Sequence, residues 1–165
     1  MDIQALLQEL QAASFAVAVR ENDFLFPSIE GIHILSATLV VGSVGFVDLR
    51  LLGVAALSRS IRYLMADVLP FTWIAFTCAV LSGATLFASA AVDYSRNVPF
   101  RMKLLVLGVA GLNMLIFHSV TCRTISRWNE AVRTPLAARL AGAVSLLLWI
   151  GVIACGRWIG FTMTP

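Results

Sequence analysis

The sequence predicts an all-α integral membrane protein: a four-helix bundle preceded by an amphipathic helix lying in the membrane interface. Three observations lead there. Of 165 residues 59% are hydrophobic and only 13% charged, and a mean hydropathy of +0.89 lies well beyond soluble composition. Four apolar stretches are each long enough to cross a hydrocarbon core of ~30 Å at ~1.5 Å per residue. Finally, Pro27, Pro70, Pro99 and Pro135 stand at the starts of those stretches, where a helix tolerates proline because that N–H lacks an intrahelical partner. One membrane domain over residues 1–165 follows, with spans at about 27–53, 70–92, 99–121 and 135–158.

Residues 2–19, DIQALLQELQAASFAVAV, set Leu6, Leu7 and Leu10 against Gln4, Gln8 and Gln11, the pattern of an interfacial helix. A lid over the bundle's outer end is the alternative. Asp2 and Glu9 stand where a secretory signal would carry basic residues, so no cleavable leader is expected. The net charge of +3 is modest and argues against nucleic-acid binding. Arg50, Arg59, Arg62, Arg123, Arg127, Arg133 and Arg139 gather on one side; Arg20, Arg96, Arg101, Lys103 and Arg157 gather on the other. The positive-inside bias places both termini outside. Cys78, Cys122 and Cys155 are scattered without ligand spacing and read as small buried residues. Gly83, Gly108, Gly111, Gly142 and Gly151 read as ordinary packing glycines, and Trp73, Trp128 and Trp158 as an aromatic belt. Trp149 reads as packing.

The first span, FPSIEGIHILSATLVVGSVGFVDLRLLG, carries Glu30 and His33 near its start and Asp48 and Arg50 near its end. Ionisable groups inside a span are costly and mark functional-site candidates. The third span holds Lys103 and His118, separated by fifteen residues like His33 and Asp48; that step turns a helix by only ~60°, so each pair shares a face. Spans one and three run the same way, which puts Lys103 near the depth of His33 and His118 near that of Asp48. Two polar layers are therefore expected, with spans one and three adjacent. The outer layer holds Glu30, His33 and Lys103, with Arg101 and Met102 close by, and the inner holds Asp48, Arg50 and His118. The opposing reading makes these side chains snorkel to headgroups or set topology.

His33 and His118 lie ~20 Å apart along the membrane normal, so they cannot ligate one iron within a chain. Glu30-x-x-His33 matches half of a di-metal bundle pattern, but spans two to four hold no second copy. Phosphate-loop, GxSxG and HExxH motifs are absent.

The segments IEGIHIL, VDLRLLG and FRMKLL…FH resemble an uncharacterised bacterial family of short four-helix membrane proteins, and more distantly the CopD copper-resistance membrane domain and the HemJ protoporphyrinogen oxidase. That resemblance implies the bacterial inner membrane and makes His33 and Lys103 haem-site or metal-site positions. The histidine-rich and tryptophan-rich helix ends associated with HemJ are missing. The expectation is a redox protein holding haem b near the outer end, with His33 as a ligand and cationic Lys103 or Arg101 meeting propionates, working as a homo-oligomer or within a larger redox complex. Two other readings stand beside it. One is a conduit for a metal ion or small solute with His33 as metal ligand; the other is a non-catalytic accessory subunit.

Overall fold

A computed structural model describes residues 2–121, 123, 125 and 134–163. Cys122, Arg127, Trp128 and Arg133 lie outside the described residues. Seven helices are formed among those described: α1 (Ile3–Ala12), α2 (Ser14–Glu21), α3 (Leu25–Leu52), α4 (Ile61–Ser89), α5 (Ala91–Arg96), α6 (Val98–Ile116) and α7 (Leu136–Thr162). A π-helical turn, Phe117–Thr121, continues α6. Four helices are long and apolar enough to cross a membrane: α3, α4, α6 with its π turn, and α7.

The prolines mark three of the four starts. Pro27 sits in the first turn of α3, Pro99 in the first turn of α6, and Pro135 at the N-cap of α7. Pro70 does not fit that expectation, because α4 begins nine residues earlier at Ile61 and carries Pro70 inside it. The ring removes one backbone hydrogen bond. The helix nonetheless continues, since Ile61, Leu64 and Met65 are buried in the core with Val47, Leu51, Phe117 and Ala138. Arg62 and Asp67 remain on its exposed side.

Capping fixes where α3 and α6 begin and end. Gly53 takes a left-handed φ of 78°, open to glycine at no steric cost, and its N–H and that of Val54 return to Arg50 and Leu49 carbonyls in a Schellman-type close. Asn97 caps α6 by accepting from Phe100 N–H at 2.9 Å, while its amide donates to Thr162 Oγ1 at 2.9 Å. One side chain thus starts α6 and ties it to the end of α7. At the opposite end the Thr134 hydroxyl donates to the Leu51 carbonyl, joining the start of α7 to the end of α3.

The structure adds detail at the N-terminus and corrects one expectation about arrangement. The amphipathic N-terminus is two helices broken at Ala13, where the backbone is extended. They dock on the bundle: Ala16 and Val19 are buried, Arg20 donates to the Ser89 carbonyl at 3.1 Å, and Gln11 accepts from Val92 N–H at 3.0 Å. The expected N-terminal helical element is thus present, docked on the His33 end of the bundle. Between α4 and α6, Asp93–Arg96 form most of the short helix α5, which Asn97 closes. In addition, α3 packs on α4 and α7, and α6 packs on α7, so the order around the bundle is α4, α3, α7, α6. Spans one and three (α3 and α6) therefore lie diagonally, not side by side. Rise per residue sets depth along the normal but does not say which helices are neighbours.

Glycines allow the closest approaches. A Cβ at Gly142 would lie 3.1 Å from the Asp48 carbonyl and 3.2 Å from Leu51 Cβ, so α3 and α7 meet backbone to backbone there.

Candidate functional site

At the end of the bundle nearest His33, two of the expected residues meet across the diagonal. His33 on α3 is half-buried, and its Nδ1 lies 2.9 Å from the Ala79 carbonyl of α4 and 3.3 Å from Ser82 Oγ. A carbonyl can only accept, so Nδ1 carries the ring proton. Ser82 donates its own hydrogen to the Cys78 carbonyl at 2.6 Å, leaving its oxygen to accept from His33. The lone pair is therefore on Nε2, and Lys103 Nζ on α6 stands 3.3 Å from it. Because an ammonium only donates, Lys103 donates and His33 accepts.

This contact bridges helices that do not pack closely, and two glycines make room for it. A Cβ at Gly83 would fall 2.9 Å from His33 Cε1 and 3.2 Å from Nδ1; one at Gly156 would fall 3.7 Å from Lys103 Nζ. The imidazole thus lies directly on the α4 backbone, and the lysine chain crosses a bare patch of α7. Gly83 was read as ordinary packing. Its part depends on a side chain fifty residues away on another helix, which no local pattern reveals.

The other outer-layer residues stay outside the pair. Glu30, Arg101 and Met102 are exposed, where snorkelling to headgroups accounts for them. Glu30 still acts nearby: burial first and the Glu30 charge second push the Tyr94 phenol on α5 above its ordinary range. Tyr94 packs at a tilt against Phe87 and Phe100, at 6.2 and 5.3 Å between centroids. Among the described residues the one ion pair is Arg20–Glu21 on the surface, so Lys103 has histidine and no carboxylate opposite it.

The inner layer does not close as expected. Asp48 and Arg50 are both buried, at 4% and 1% exposed, but they stand ~200° apart on α3 and form no ion pair. Arg50 Nε donates to the Arg59 carbonyl at 3.0 Å, while Nη1 and Nη2 lack partners among the described residues. His118 sits in the π turn, exposed, with Nδ1 2.9 Å from the Met114 carbonyl of its own helix. It reaches neither acid nor guanidinium by a hydrogen bond. What His118 and Asp48 do share is a cavity.

That cavity, of about 260 Å³, fills the bundle centre between the two polar ends. Val40, Phe76, Leu107 and Trp149 bound it toward His33, one to two turns below the His33–Lys103 contact; Asp48, Phe117 and His118 bound it at the other end. Trp149 is therefore a cavity wall rather than solid packing. Asn113 holds the α6–α7 contact alongside, donating to the Ala141 carbonyl at 3.0 Å.

Among the described residues no group of three or more His, Cys, Asp or Glu converges to hold a metal ion. Cys78 and Cys155 are free thiols. No curated protein and no solved structure matches the chain. A family model covers residues 23–162, from just before α3 to the end of α7. The chain belongs to that family of unknown function, DUF6644.

Proposed function

We propose that the protein is a membrane-embedded redox protein that binds a b-type haem at its His33 end, with the imidazole of His33 as iron ligand. The observation that carries this reading is the state in which His33 is held. Its Nδ1–H is committed to the Ala79 carbonyl at 2.9 Å, and its Nε2 lone pair meets only the movable tip of a lysine at 3.3 Å. Metal-ligating histidines are oriented in this way, one nitrogen donating to a carbonyl so that the other is fixed and basic. The donor set suits the group, since imidazole is a common haem ligand. A four-helix bundle can hold a cofactor between its facing helices. Bound there, haem would supply one-electron chemistry.

The chain's own part is to hold, orient and balance charge. Ala79 and Ser82 fix the ring of His33, and Gly83 gives it room against α4. Lys103, without a carboxylate partner, offers its ammonium to an anionic propionate. His118 is ~22 Å from Lys103 along α6 and takes no part in this site.

The test is the visible spectrum of protein extracted from membranes. A Soret band is expected in the wild type and in His118→Ala, and its loss in His33→Ala. Protein that is colourless as isolated and stays so after haemin addition would sink the proposal.

A further inference from the structure

The cavity at the bundle centre is lined by a buried carboxyl group with one oxygen left unpaired. Asp48 is 4% exposed, stands beside Ser145, and its Oδ2 has no hydrogen-bond partner among the described residues while the residue lines the cavity. Buried polar atoms are nearly always paired, and an unpaired one costs about twice what a made bond returns. The second polar group at this end, His118, has Nδ1 committed to the Met114 carbonyl, so its Nε2 is also an acceptor. An occupant that brings a hydrogen-bond donor would satisfy both groups as acceptors.

The walls narrow the choice further. Trp73, Phe76, Phe117 and Trp149 surround the space, offering faces and edges to a flat ring. The side between α4 and α6 is the loosely closed one, and Trp73 and Met114 on its rim are 51% and 36% exposed. A lipid-soluble molecule can enter there from the hydrocarbon and leave a tail in it, while a cation would lose its hydration on that route. We infer that the cavity is a binding site for a membrane-soluble aromatic alcohol of the hydroquinone class, its ring between the aromatic walls and its hydroxyl donating to Asp48 Oδ2. The inference does not depend on haem at His33; if both hold, the occupant lies on the membrane-soluble side of the same redox protein.

The probe is a decyl-substituted benzohydroquinone, kept reduced, partitioned between nanodiscs containing the protein and empty discs of the same lipid. Saturable binding of one molecule per chain is expected. Asp48→Ala should weaken it by about tenfold or more, the loss of a hydrogen bond to a buried carboxylate. The matching quinone, which has no hydroxyl to donate, should bind at least about tenfold more weakly. Should Asp48→Ala fail to fold, Gly111→Leu serves in its place. Gly111 lines the cavity with open space where a Cβ would go, so leucine fills the site with Asp48 intact, and binding should vanish. Non-saturable uptake, unchanged affinity in both variants, or preference for the quinone or for decylamine would each overturn the inference. None of these outcomes bears on the Soret band, so failure here and failure of the haem reading remain distinguishable.

Discussion

Gly83→Ala tests whether the His33 ring is held by the fold or merely rests near α4. The added methyl would sit 2.9 Å from His33 Cε1 and 3.2 Å from Nδ1, inside the van der Waals limit, and the obstacle is a ring pinned at Nδ1 rather than a loose chain end. Overpacking of this kind costs about 1–3 kcal/mol. If the ring swings away, the Ala79 and Lys103 contacts go with it, at about 0.6 kcal/mol each for interhelical hydrogen bonds in membranes. A destabilisation of about 2 kcal/mol is expected. Gly→Ala inside a helix otherwise favours the variant by about 0.5–1 kcal/mol, which opposes the cost and makes a single measurement ambiguous. A double-mutant cycle removes the ambiguity. In a His33→Ala background the three nearest obstacles to the new methyl, all imidazole atoms, are gone, so Gly83→Ala should be neutral or slightly stabilising. Unfolding of all four proteins in mixed detergent should give a coupling energy of about 2 kcal/mol between positions 33 and 83. Additivity within about 0.5 kcal/mol would show that the ring does not lie on Gly83, and the geometry of the site would fail with it.

Other consequences are smaller or more local. Arg50→Met should be neutral or stabilising, because it removes a guanidinium 1% exposed with two unpartnered nitrogens and keeps the packing of its stem; a loss above about 3 kcal/mol in the same unfolding assay would mean that the charge is paired. Arg20→Ala removes the tie to the Ser89 carbonyl, so hydrogen exchange of residues 3–21 should quicken while α3, α4, α6 and α7 keep their protection. Uniform protection of the N-terminal helices in that variant would show that Gln11 and the buried Ala16 hold them alone. Asn97→Ala loses both a helix cap and the bond to Thr162; about 1–2 kcal/mol should be lost on unfolding, and none if the cap is replaced by water.

What could be read from the chain is what depends on one helix at a time. Apolar length gave four spans, and Pro27, Pro99 and Pro135 marked three starts because proline fits a first turn whatever the helix packs against. Pro70 misled for the converse reason. The segment before it, with Arg62 and Asp67, looks too polar to belong to a span, but Ile61, Leu64 and Met65 are secured by core contacts from three other helices. The depths of His33 and Lys103 followed from rise per residue, and the two do meet. Their route to each other did not follow, because α3 and α6 are diagonal and the gap is closed by the length of a lysine side chain over Gly156. At the other end the same depth argument paired His118 with Asp48. The π turn carries His118 onto its own helix's carbonyl instead, and a pattern built on regular 100° steps cannot anticipate a change of helix type.

The central claim, a cofactor held by His33, is tested most directly by titrating haemin into purified wild type, into His33→Gly, and into His33→Gly with added imidazole. The account predicts a Soret band saturating at one haem per chain in the wild type. It should be absent in His33→Gly and return with imidazole, which can occupy the space the ring leaves against Ala79, Ser82 and Gly83. Equal haem uptake by wild type and His33→Gly without imidazole would contradict it.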